Sequence, residues 1–172
     1  MVTPSRFASD SSLAFLARWL RFLGYDVATY RGARLDELLE VARSEARIAL
    51  TLSSRHPRRF GDVPVIRVAR DEPGAAIREI ARSHARSSPP FGRCPECNAV
   101  LESRHPLQAT GEVPGRVLRR VQSLHYCPMC AKWYWEGTHV AKIRAELERM
   151  LGSPLEAFSQ SAGPPAADDL PH

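Results

Sequence analysis

Cys94-Pro-Glu-Cys97 and Cys127-Pro-Met-Cys130 hold all four cysteines of the 172-residue chain. Four thiolates are the donor set of a tetrahedral structural zinc site, and a two-residue gap lets both sulfurs of one knuckle face the same ion while the backbone turns beneath them. The second knuckle must then return across a hairpin to close the tetrahedron. The 29 residues from position 98 to 126 exceed the shortest zinc spacings, which predicts a zinc ribbon with an inserted loop rather than a compact finger. Three other readings of these cysteines compete. Disulfides need an oxidising compartment, and the residues after Met1 contain no apolar run of a secretory signal. A thioredoxin-like redox site needs one Cys-x-x-Cys at a helix amino terminus, not two. Catalytic zinc needs an open coordination position, and four cysteines leave none.

Carboxylates form a second chemical set, and their meaning depends on the elements that hold them. Residues 5–9 predict a first strand, with capping groups in Asp10-Ser11-Ser12 at its end. Leu13, Leu16, Leu20 and Leu23 then recur at helical steps beside Trp19, and Gly24 stands where a helix carboxyl terminus favours glycine. Residues 25–30 predict a second strand, and residues 35–46 a second helix through Leu35, Leu38, Leu39 and Ala42. A third strand is expected over residues 47–52 and a fourth over 63–69, with Pro64 near its start. Residues 72–86 predict a third helix with Ile77, Ile80 and Ala81 inward.

Strands alternating with helices imply a parallel sheet whose functional groups gather beyond the carboxyl ends of the strands. Past the first strand lies Asp10, past the second Asp36 and Glu37, past the third Ser53, and past the fourth Asp71. Hard cations such as magnesium or manganese bind through a few carboxylates and keep waters, so these acids are candidates for water activation against a phosphodiester. Taken singly, Asp36 and Glu37 are accounted for as complements to a helix dipole.

Charge points the same way without deciding it. The net charge is +5, and residues 1–93 hold sixteen Arg against ten acids whereas residues 94–172 hold eight basic residues against nine acids. An arginine excess upstream of the cysteines favours polyanion partners, because Arg grips phosphate bidentately and stacks on bases. Scattered arginines also merely solvate a face, and 22 Arg to two Lys is what codon bias alone can produce. No apolar run approaches the ~20 residues that span a bilayer, since Arg18 and Arg21 interrupt residues 13–23. The expectation is a soluble, cytoplasmic protein with one α/β domain and a small module.

Several stretches together carry a resemblance. Arg6-Phe7-Ala8-Ser9-Asp10, Leu16-Ala17-Arg18-Trp19-Leu20-Arg21-Phe22-Leu23-Gly24-Tyr25-Asp26 and Asp36-Glu37-Leu38-Leu39 resemble the Mut-seven C-terminal RNase domain, a PIN-like nuclease fold carrying a zinc ribbon. Phe91-Gly92-Arg93-Cys94-Pro95-Glu96-Cys97-Asn98, the second knuckle, and Trp133-Tyr134-Trp135-Glu136-Gly137-Thr138-His139 are similar to the same family's ribbon and closing segment. The resemblance covers about residues 5–150. It implies a metal-dependent ribonuclease using Asp10, Asp36 and Asp71, with Glu37 a substitute for Asp36, magnesium or manganese as catalytic ion, and RNA as partner. The chain departs from the family at Thr51-Leu52-Ser53, where Thr-Arg-Asp is usual. Serine supplies neither charge nor strong ligation. The loop after it, Ser54-Arg55-His56-Pro57-Arg58-Arg59, is basic, and the alternative to a nuclease is a decayed RNA-binding or ribosome-associated module.

Five arginines are candidates for phosphate contact: Arg18, Arg21, Arg55, Arg58 and Arg59. The first two also suit snorkelling over the edge of the core. Trp133, Tyr134 and Trp135 offer stacking surfaces, or else cover the ribbon's apolar side. His56, His125 and His139 receive no ligand role, since the cysteines saturate zinc. The boundaries expected are residues 1–88 for the PIN-like α/β domain, 89–151 for the ribbon and a closing helix capped by Thr138, and 152–172 for a disordered tail. Within the insertion, helix is expected around residues 117–121.

Overall fold

The computed structural model describes residues 4–32 and 34–158. Four strands, β1 (Arg6–Asp10), β2 (Asp26–Tyr30), β3 (Ile48–Thr51) and β4 (Val65–Arg67), form one parallel sheet in the order β2-β1-β3-β4. Helices α1 (Ala14–Phe22), α2 (Leu35–Ser44) and α3 (Pro73–Ser83) connect or follow them. The alternation expected from the sequence is therefore present, with β2, β3 and β4 shorter than expected and β1 shifted by one residue to include Asp10. A short 3-10 turn, Ser11–Leu13, precedes α1, and Asp10 accepts the Ser12 backbone N–H at 2.7 Å, so the expected cap is formed.

Side-chain alternation splits the core into two layers, because successive residues of a strand face opposite sides of a sheet. Phe7 and Leu50 face α1 and α3, with Leu16, Leu20, Ile77 and Ile80. Ala8 and Ala49 face α2, with Leu38, Leu39 and Phe60. Small residues on that second side let α2 lie close to the sheet. Gly24 ends α1 at φ +93°, and a Cβ there would lie 2.1 Å from the Ser88 carbonyl oxygen. Only glycine meets both demands.

The distal part is a three-stranded antiparallel sheet, β5 (Glu102–Arg104), β6 (Leu124–Cys127) and β7 (Lys132–Tyr134). Its insertion carries a 3-10 turn, Pro106–Ala109, and one α-helical turn, α4 (Gly115–Leu118), the latter slightly earlier than expected. Trp133 and Trp135 pack with Val117 against Ala109, Val113 and Leu124, and so cover the small sheet. The closing helix α5 (Thr138–Leu151) is capped at Gly137 with no side-chain bond, which corrects the cap expected from Thr138. Leu147 and Leu151 enter the larger core layer, joined by Leu155 of the 3-10 turn Leu155–Phe158. Structure thus continues past Gly152, where a tail was expected to begin, because Leu155 adds one more apolar anchor. The rest of that expectation, residues 159–172, lies outside the described residues. Among the described residues no helix is long and apolar enough to cross a membrane.

Candidate functional site

The two knuckles meet. Ligand atoms of Cys94, Cys97, Cys127 and Cys130 all lie within 4.8 Å of one another, with Sγ–Sγ separations of 4.0 Å for Cys94–Cys130 and 3.4 Å for Cys97–Cys127. A tetrahedron of sulfurs about 2.3 Å from zinc has edges of roughly 3.8 Å, so the donor set is positioned to hold a metal ion and fits structural zinc. The residue after each knuckle turns through positive φ, 74° at Asn98 and 52° at Ala131, which folds the chain back under the paired sulfurs. The Tyr134 hydroxyl lies 3.2 Å from Cys94 Sγ. Burial pushes the Cys94 thiol up, but the bonds from Tyr134 and from the Cys97 and Glu96 backbones outweigh it and bring the thiol to about 7. Metal binding needs thiolates, and these donors favour one at Cys94, whereas burial pushes the Cys97 and Cys127 thiols up.

The first knuckle is latched to the parallel sheet. Arg21, on α1 and nearly fully buried, donates through Nε and Nη2 to Val27 O at 2.9 and 2.7 Å and through Nη2 to Thr29 Oγ1 at 2.9 Å. Its Nη1 donates to Pro95 O and Glu96 O, both at 2.9 Å. A guanidinium has five N–H donors, and this one spends them all inside the protein. The expectation that Arg21 contacts nucleic acid is corrected on that ground. Beside it, Asp26 accepts from Arg47 Nη1 at 2.7 Å and from Asn98 Nδ2 at 2.8 Å, while Asn98 Oδ1 accepts the Val27 N–H at 3.0 Å. Burial pushes the Asp26 carboxyl up, but the Arg47 and Asn98 bonds outweigh it and hold the group below its ordinary value. Sequence reasoning assigned no role to Asp26 or Asn98. The available signal was an acid opening an apolar strand and a turn residue directly after a knuckle.

The acids behave differently. Among the described residues the cysteines are the one group of three or more Cys, His, Asp or Glu able to hold an ion, so Asp10, Asp36 and Asp71 do not converge into a ligand set. Asp36 opens α2 on one side of the sheet, whereas Asp71 precedes α3 on the other. Asp10 Oδ1 is bonded to Ser12, and Asp36 is paired with Arg59. Glu37 accepts the Arg34 backbone N–H at 3.0 Å and serves the helix start, as a complement to the dipole should. Ser53 Oγ accepts the Arg55 N–H at 3.1 Å, and the Ser53 N–H is held by Thr51 Oγ1 at 3.0 Å. The hydroxyl therefore shapes the basic loop. Among the described residues these carboxylates form no preassembled group of three for magnesium or manganese.

Of the other candidate arginines, Arg55, Arg58 and Arg59 are exposed, and Arg59 lies over the Phe60 ring at 4.9 Å. Arg18 is half exposed and pairs with Glu96 at 3.4 Å.

A parallel α/β layer joined to a closed four-thiolate centre defines a two-part protein. The whole of that arrangement falls within a single family match: the model of the Mut7-C RNAse domain covers residues 5–147, and the chain belongs to that family. No match was found among curated proteins or among solved structures.

Proposed function

We propose that the protein acts on RNA as a ribonuclease with a PIN-like α/β domain, and that its cysteine module holds zinc for structural reasons alone. The family match over residues 5–147 carries this reading. The sheet order supports its location. From β1 the chain crosses outward to β2 and then returns past β1 to β3, so the switch point lies between β1 and β3, and ligands of open parallel sheets bind in the crevice beyond such strands. Asp10 and Ser53 flank that crevice.

Of Asp10, Asp36 and Asp71, Asp10 is the acid assigned to the reaction, because it ends β1 beside that crevice. Since the three form no preassembled magnesium or manganese site, binding and orientation of the substrate fall to the chain's own residues. Arg55 and Arg58 attract and orient the phosphate backbone, and Ser53 fixes the loop that presents them. The test is incubation of full-length, zinc-loaded protein with single-stranded RNA, with and without manganese. Cleavage lost on Asp10→Asn is the expected outcome, and cleavage indifferent to that change would remove the rim from the mechanism.

A second reading is favoured by two observations: Asp36 is engaged by Arg59, and a turn-forming serine holds the place of an acid. In it the protein binds RNA without cutting it. A salt-sensitive complex with intact RNA in manganese selects that reading.

A further inference from the structure

A cleft of about 560 Å³ opens between α1, β2 and the first cysteine knuckle, lined among others by Ser11, Phe15, Arg18, Arg31 and Glu96. Its size falls within the ~300–1,000 Å³ of small-ligand sites. We propose that this cleft takes one unpaired nucleotide of an RNA strand, with the base against Phe15 and the phosphate between Arg18 and Arg31. The proposal rests on the RNA-acting reading above and adds that the cysteine module builds one wall of the binding site.

Three features argue for it. Phe15 is 61% exposed on the first turn of α1, an apolar ring held in place by edge contact with Trp19 at 5.8 Å. Exposed rings on rigid elements are what unpaired bases stack on, and stacking tolerates any base. The charge is suited to phosphate: Arg31 is exposed, while Arg18 pairs with Glu96 at 3.4 Å and lies over the Phe22 ring at 5.9 Å. The position is also suited. Ser11 is adjacent to Asp10, and Phe15 lines a second cleft of about 240 Å³ that continues over Ser12 and Leu52 to Arg70. One strand can therefore run from the knuckle, over Phe15, along the carboxyl rim of the sheet.

Glu96 gives the proposal a sign. It occupies Arg18 and repels phosphate, so removing its charge should tighten the complex, which no purely structural role predicts.

The test is fluorescence anisotropy of full-length, zinc-loaded protein with labelled oligouridylate and oligoadenylate in EDTA-free buffer lacking magnesium and manganese, so that cleavage does not intervene. Phe15→Ala should weaken binding about 10-fold for both sequences. Arg31→Ala should weaken it and lower the salt slope by about 0.7. Glu96→Gln should strengthen it about 3-fold. Duplex RNA should compete poorly. Unchanged affinity in Phe15→Ala and Arg31→Ala, beside weakening by Arg55→Ala and Arg58→Ala, overturns the cleft while leaving RNA binding intact. Absence of RNA binding by the unaltered protein overturns both readings. Zinc content and the thermal midpoint of each variant report folding, and the exposure of Phe15 makes a loss of either unexpected.

Discussion

The four cysteines and the three rim acids both have the residue types of a metal-ligating set, yet one set closes and the other does not. Each cysteine pair is fixed by a two-residue gap and a positive-φ turn, so only the meeting of two preformed knuckles depends on the fold. The acids come from three separate connections on two sides of a sheet. Their convergence depends on every loop, and Asp10 and Asp36 have found partners of their own in Ser12 and Arg59. Local spacing is thus a far stronger predictor of a site than a shared sheet edge.

The largest effect should come from breaking the closed set. Structural zinc sites contribute on the order of 10 kcal/mol to folding of small modules, so Cys94→Ser should abolish stoichiometric zinc and unfold the distal sheet, read by metal analysis and near-ultraviolet circular dichroism. Retention of both would dissolve the contrast between the two sets. Next comes the latch. Arg21→Met strips five hydrogen bonds and leaves the Val27, Pro95 and Glu96 carbonyls without the charged donor, a loss expected near ~3 kcal/mol in denaturant unfolding. A cost under about 0.5 kcal/mol would show that the module docks without it.

Acid should reach the same seam. The Asp26 carboxyl is held below its ordinary value by Arg47 and Asn98 against the opposing effect of burial. Its stabilisation is therefore complete above the unfolded value of about 4 and fades as pH falls through the lower folded value. Stability of the unaltered protein should drop across that window, and the drop should shrink in Asp26→Asn when unfolding is followed between neutral and strongly acidic pH.

Periodicity was enough to place the alternating elements and the parallel sheet, because Leu16, Leu20, Leu38, Leu39, Ile77 and Ile80 repeat at the spacing of one buried helix face. The cysteine centre was legible because each knuckle is complete within four consecutive residues. What stayed hidden depends on pairs distant in the chain. Arg21 reads as a phosphate contact or a snorkelling side chain, and Asp26 carries no assigned role, until Pro95 and Asn98 are brought against them, and no local pattern announces a partner more than 70 positions away. Leu155 was missed because one apolar residue after a helix stop has no period.

The smallest change addresses the open set directly. Ser53 caps the turn before Arg55, and aspartate caps the same turn through its carboxylate, so Ser53→Asp should fold normally. Arg59→Ala should cost about 1 kcal/mol, since it breaks an exposed pair and the guanidinium contact with the Phe60 ring, and it releases Asp36. Together they add one acid after β3 and free another at the start of α2. Site-specific paramagnetic broadening by manganese around Asp10 should then be absent from the unaltered protein and present in the double variant, independently of any cleavage. Broadening already present without the substitutions would mean that the rim closes around an ion as readily as the knuckles do, and that the acids' local partners give way to it.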